Sequence, residues 1–329
     1  MLQRFQTGLR NAAHDAFDYA ADAFNETTIR LAVTGLSRAG KTVFITSLIA
    51  NLLALGRGKA TLPGLQALLT PPTGHSRLLG IRLLPPGSGE TPMFDHARNL
   101  ATLAAASPNW PPRTDDLTEV ALEFLLERQG LRARLGPRRI RLEILDYPGE
   151  WLLDLPLLNQ SFSSWSSETL ARLNAEPRRT ACAAFLEQLP VIDSASPPDH
   201  GAIRSLHTLY RDGLEACRTQ FGLRLLQPGR FLCPGPRADA PFMWFFPLHN
   251  APEYPTRGTT AALLDERFEA YKADMRARFF EASFARFDRQ VLLVDVLGAL
   301  QTGQDAFLDT EKALTLIAAG LSYGRNGLS

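Results

Sequence analysis

The chain has 329 residues, with 35 basic and 34 acidic side chains, a formal net charge of +1 and 45% hydrophobic residues. That composition suits a folded chain with a sizeable core, in one large domain or two, and argues against global disorder. So even a balance gives no bulk field for nucleic acid or an anionic membrane, and no nucleic-acid partner is expected. The three cysteines, Cys182, Cys217 and Cys233, form no CxxC pair, and the six histidines show no HExxH spacing. Neither a disulfide framework nor zinc is expected. Residues 1–10 lack the apolar core of a signal peptide, and the longest apolar run, near Leu48–Leu55, is too short to span a bilayer. The expectation is a soluble, cytoplasmic protein.

In chain order, residues 1–28 predict an amphipathic helix, with Phe5, Leu9, Ala13, Phe17 and Phe24 at helical spacing. Ile29–Thr34 reads as a short strand, and Thr42–Leu55 as a helix carrying Val43, Ile45, Leu48, Ile49 and Leu52. The stretch 61–116 is punctuated by Pro71-Pro72, Pro85-Pro86 and Pro111-Pro112 and is expected to be irregular, with a helix near Phe94–Ala106. Leu117–Leu126 and Arg139–Leu145 alternate apolar and polar residues and predict an antiparallel hairpin. Residues 156–289 read as mainly helical, with Phe242–Leu248 as a candidate strand and Leu263–Arg289 as a strong helix. Gln290–Leu297 has the apolar run of a buried parallel strand, and Glu311–Leu321 closes the chain with a helix.

Between the first strand and the first helix stands Gly35-Leu36-Ser37-Arg38-Ala39-Gly40-Lys41-Thr42. This is the G-x-x-x-x-G-K-[ST] pattern of a phosphate loop, in the strand–loop–helix order that such a loop requires. Gly35 and Gly40 allow backbone angles that turn successive amides inward, and the following helix adds its positive end. Gly35, Ser37, Arg38, Ala39, Gly40, Lys41, Thr42 and Val43 are therefore the candidate phosphate-binding residues. Lys41 is expected to reach the β- and γ-phosphates, and Thr42 to offer its hydroxyl to Mg²⁺.

The second predicted hairpin strand runs into Asp146-Tyr147-Pro148-Gly149-Glu150. An Asp at the end of a strand, downstream of a phosphate loop, is where a metal-coordinating carboxylate belongs. Gly149 is assigned to the γ-phosphate, whose loss would release the segment. Thr114 is the candidate switch threonine, a metal ligand placed before the hairpin, with Thr118 and Thr91 as rivals. Glu150 occupies the place of a water-orienting residue. It could act as a general base, or be a surface or helix-capping residue, and a carboxylate there predicts slow turnover. Arg38 could stabilise transition-state charge in cis, or point into solvent or onto an acidic partner. In this loop the chain resembles guanylate-binding proteins and atlastins.

The loop continued by Val43-Phe44-Ile45-Thr46-Ser47-Leu48, the run Asp146–Pro156, Trp110-Pro111-Pro112, Gln227-Pro228-Gly229-Arg230-Phe231 and Asp288-Arg289-Gln290-Val291 together resemble the YcjX-like family of bacterial P-loop proteins. The resemblance covers nearly the whole chain. It implies an α/β fold: a Ras-like P-loop NTPase with a three-layer core and a large, mainly helical insertion. It also implies GTP/GDP as ligand, a stress-response association and a membrane protein as partner, which would put the chain at the inner membrane peripherally. On this reading the chain divides into 1–28 (N-terminal helix), 29–60 (loop strand and helix), 61–116 (switch-I-like), 117–155 (hairpin and switch-II-like), 156–289 (insertion) and 290–329 (return to the core). No Asn/Thr-Lys-x-Asp guanine-reading motif follows a strand. Tyr271-Lys272-Ala273-Asp274 looks similar but lies in a helical pattern. An ATPase, or a nucleotide-binding scaffold without hydrolysis, therefore stands beside the GTPase reading.

Overall fold

A computed structural model describes residues 27–36, 38–59, 62–70, 76–85, 91–111, 116–128, 130–281 and 287–326. The helix expected over 1–28 lies almost wholly outside the described residues, as do Ser37 and Thr114. The fold is mixed α/β. Among the described residues, five strands form one sheet in the order β2-β3-β4-β1-β5. They are β1 (Thr27–Gly35), β2 (Leu78–Leu83), β3 (Thr118–Leu126), β4 (Arg138–Asp146) and β5 (Arg289–Leu293). β1 runs parallel to both β4 and β5, while β2 and β3 form an antiparallel wing against β4.

Strand alternation decides which layer each residue joins. Val33, Val120, Leu122 and Ile144 face α1 (Lys41–Gly56) and pack on Ile45, Ile49 and Leu52. Ala32, one residue out of phase with Val33, joins a larger core built from the helical region. That region holds α3 (Phe162–Leu173), after α2 (His96–Leu103) on the α1 side, then the short α4 (Arg178–Ala181) and α5 (Ala183–Gln188), α6 (His200–Thr219) and α7 (Thr260–Met275). It meets the sheet near the strand ends. Farther back, Glu143 on β4 accepts from Arg30 at 3.0 Å and Arg141 at 2.8 Å, so the charged phase of β4 is satisfied by ion pairs. After β5 come α8 (Val296–Thr302) and α9 (Gln304–Asn326). Among the described residues, no helix is long and apolar enough to cross a membrane.

Four sequence expectations change. The stretch 61–116 holds an edge strand, β2, which Gly80 and a register shift beside Leu78 hide from a period-two reading. Phe242–Leu248 is not a strand. A 3-10 turn, Pro241–Met243, leads into irregular chain, in which the adjacent Phe245 and Phe246 are both fully buried in the core of the helical region. The helix expected to Arg289 ends at Met275 and continues as a π-helical turn, Arg276–Glu281. The strand expected to Leu297 stops at Leu293, because Asp295 caps α8 by accepting from Gly298 N at 2.8 Å. β5 is also half-buried, as suits an edge, rather than enclosed on both faces.

Candidate functional site

The loop after β1 is built by its glycines. Gly40 has φ +81° and N-caps α1 in the left-handed region, which favours glycine. Arg38, exposed, also takes a positive φ of 69°. Ala39 N donates to Leu36 O at 3.1 Å, closing the turn, and Phe44 N donates to Gly40 O at 2.9 Å, starting the helix. Lys41, Thr42 and Val43 form the first turn of α1, directly after the Gly40 cap.

β4 delivers the second half of the site. Its last residue, Asp146, is paired in register with Val33 on β1 and with Thr118 on β3. Its side chain is only 1% exposed, and Oδ1 lies 3.6 Å from Lys41 Nζ. So the strand-ending carboxylate and the loop lysine form a nearly buried ion pair. Thr118, a rival to Thr114, stands directly across from Asp146, and Thr91 lines a cavity.

The chain then folds tightly onto the loop. Thr34 Oγ1 donates to Tyr147 O at 3.4 Å. The fully buried Tyr147 hydroxyl, its pKa raised by burial, accepts from Gln290 Nε2 on β5. Gly149 sits so close to the loop that a Cβ there would lie 2.6 Å from both C and O of Gly35. Only glycine permits that approach. A 3-10 helix follows, Gly149–Asp154, with every residue buried, including Glu150.

The far side of that short helix is held by the helical region, through residues for which no role is evident in the sequence. Trp151 Nε1 donates to Cys233 O at 2.9 Å, and Gln227 Nε2 donates to Leu153 O. Asp154 accepts from Gly229 N at 2.7 Å, from Arg230 N at 3.2 Å and from the Tyr271 hydroxyl. Burial pushes the Asp154 carboxyl up to about 6, and those hydrogen bonds hold it from rising further. A Cβ on Gly229 would fall 1.9 Å from Glu150 O. Arg224 is a second residue without a sequence signal. Burial lowers the pKa of its guanidinium; the Glu150 carboxylate opposes that and the Arg38 charge adds to it, so Arg224 lies within electrostatic reach of both. Its amide is fixed by Asp309 of α9, which accepts at 2.7 Å. The segment 271–274 stays inside α7, where Lys272 Nζ donates to Gln160 O at 2.8 Å and Asp274 is ion-paired with arginines.

A family model described as the YcjX-like family, DUF463, matches residues 29–329. The chain belongs to the YcjX-like family. Two relatives, each named Ras-like GTPase YcjX, come from Escherichia coli (strain K12) and Shewanella oneidensis. The first is 38% identical over 312 residues, covering 91% of this chain and 65% of the relative. The second is 33% identical over 309 residues, covering 91% of this chain and 64% of the relative. This YcjX-like chain thus spans about 65% of the length of the relatives it matches.

Proposed function

We propose that the chain forms the phosphate- and metal-binding part of a guanine-nucleotide switch, which binds GTP and GDP with Mg²⁺ and hydrolyses GTP slowly. The observation that carries this reading is the meeting of two chain segments: Gly149 against the Gly35–Leu36 backbone, beside the Lys41–Asp146 pair. On this reading the fold is a Ras-like P-loop core with 156–289 as its insertion. The printed name of both relatives, Ras-like GTPase, supports guanine as the base.

In this reading the amides from Arg38 to Val43 bind the phosphates, helped by the N-terminal end of α1. Lys41 exchanges its contact with Asp146 for the β- and γ-phosphates. Thr42 and Asp146 offer a hydroxyl and a carboxylate, hard oxygen donors of the kind Mg²⁺ takes, and Asp146 is oriented by burial at 1% exposure. Thr114 would add a third donor. When bound, Mg²⁺ offsets the charge of the β- and γ-phosphate oxygens. Gly149 N–H reports the γ-phosphate. Glu150, buried and with its carbonyl held under Gly229, supports slow turnover, since a carboxylate is a poor neighbour for a γ-phosphate. Arg38 supplies positive charge at the loop, with Arg224 close by.

The test is titration of fluorescent GTP, GDP and ATP analogues into the chain extended past Ser329. The expected result is Mg²⁺-dependent GTP and GDP binding at micromolar Kd or tighter, lost in Lys41→Ala. Tighter binding of ATP than of GTP would overturn the guanine assignment, and phosphate-independent binding would overturn the loop's role.

A further inference from the structure

A second concentration of charge lies on the other side of the Gly149–Asp154 helix. A cavity of about 530 Å³ is lined there by Trp151, Arg230, Arg237, Asp274, Arg278 and Asp116 among others. Three guanidiniums converge on one carboxylate. Asp274 receives Arg230 at 2.8 Å, Arg237 at 3.1 Å and Arg278 at 3.2 Å. Asp116 is the other carboxylate on the wall, and it accepts from its neighbour's amide, Leu117 N, at 2.8 Å. Three positive and two negative side chains thus face one concave space.

A structural ion pair needs one cation per carboxylate, and each further buried cation costs desolvation. Arg230 is the most expensive of the three, with its side chain only 7% exposed. Its guanidinium lies 5.3 Å from the centre of the Trp151 ring, and its Nε is buried with no hydrogen-bond partner among the described residues. Arg237 and Arg278 are 32% and 60% exposed and stand toward the mouth. The wall at Ala277–Phe279 belongs to the π-helical turn Arg276–Glu281, an irregularity frequent at functional sites. The volume falls in the range of small-molecule pockets, and arginine forks suit planar oxyanions.

We propose that this cavity is a second ligand site, which takes a small molecule bearing an oxyanion, carboxylate or phosphate, against Arg230, Arg237 and Arg278. Asp274 holds the three forks in place and competes with the ligand for them. The site does not depend on the nucleotide reading. Its wall includes Trp151, two residues past Gly149, so occupancy bears on the segment that touches the phosphate loop.

The test is calorimetric titration of the Lys41→Ala chain, in which the phosphate loop is disabled, with inorganic phosphate in one arm and succinate in the other, at constant ionic strength. One-site binding is expected in at least one arm, and the arm that binds names the ligand class. Arg237→Ala/Arg278→Ala should weaken it by at least about tenfold, because both arginines are exposed enough to remove without unfolding the chain. Asp274→Asn, which takes away the internal competitor, should bind more tightly. Absence of heat with either anion, or equal affinity in the double arginine variant, overturns the proposal.

Discussion

Three residues carry testable weight on their own. At Gly149, a methyl group would collide with backbone atoms of Gly35, 2.6 Å away, that have no rotamer to change. Gly149→Ala is expected to destabilise the chain by about 1–3 kcal/mol and to weaken nucleotide binding, as read by denaturant melts and titration. At Lys41 the expectation is opposite in balance. Lys41→Ala removes the partner of a nearly buried Asp146 and, on the proposed function, a phosphate ligand too, so nucleotide affinity should fall by about a hundredfold or more, from loss of charge-assisted bonds. Asp154 has a pH signature. Its carboxyl is held at about 6 against an ordinary 3.8, so between those values the folded chain keeps a proton that the unfolded chain has released. The stability it contributes is full below about pH 4 and is lost as pH rises through about 6, by roughly 2–3 kcal/mol. Melts of wild type and Asp154→Asn across that range should converge at one end and differ by that amount at the other. A constant difference would refute the assignment.

At the scale of elements, the main finding is how the Gly149–Asp154 helix is held. One side touches the loop after β1 at Gly35 and Leu36, and the other is bonded to the 227–233 segment through Trp151, Leu153 and Asp154. A change at Gly149 therefore has a short mechanical route to the helical region, and α9 adds to it through Leu155, which abuts Gly320. Gly229→Ala should break this junction. Its Cβ would fall 1.9 Å from Glu150 O, so one of the two segments must move, and a loss of about 2–4 kcal/mol is expected. Amide exchange is the direct readout: protection of 149–154 and of 227–233 should drop together in that variant. If only 227–233 loosens, the two segments are not one unit.

Across the whole molecule, β1 sits inside the sheet between β4 and β5, which brings the Gly35–Thr42 loop and Asp146 to one end of adjacent strands. A parallel pair requires a crossover, and here α1, β2, α2 and β3 lie between β1 and β4 in the chain. The separation explains why Lys41 and Asp146, distant in sequence, meet at 3.6 Å. Binding GTP or GDP should therefore stabilise the sheet and the helical region together, seen as one shifted melting transition. Two transitions, only one of them ligand-sensitive, would show that the regions do not fold as a unit.

The G-x-x-x-x-G-K-[ST] pattern, the β1–loop–α1 order, the β3–β4 hairpin and the place of Asp146 at the end of a strand are legible in the amino-acid sequence. Each of these is written in contiguous residues whose spacing follows from backbone geometry: glycines at fixed offsets, period-two alternation, helical periodicity. The sequence also marked Gln227–Phe231 as part of the family resemblance, without a reason for those residues. Their contacts come from the fold, since Gly229 meets Glu150 and Asp154 across more than seventy residues of chain. The same holds for Arg224 beside Glu150 and for the three arginines around Asp274. Such contacts are chosen by packing between elements, and no local period or motif records which partner a buried polar group will find.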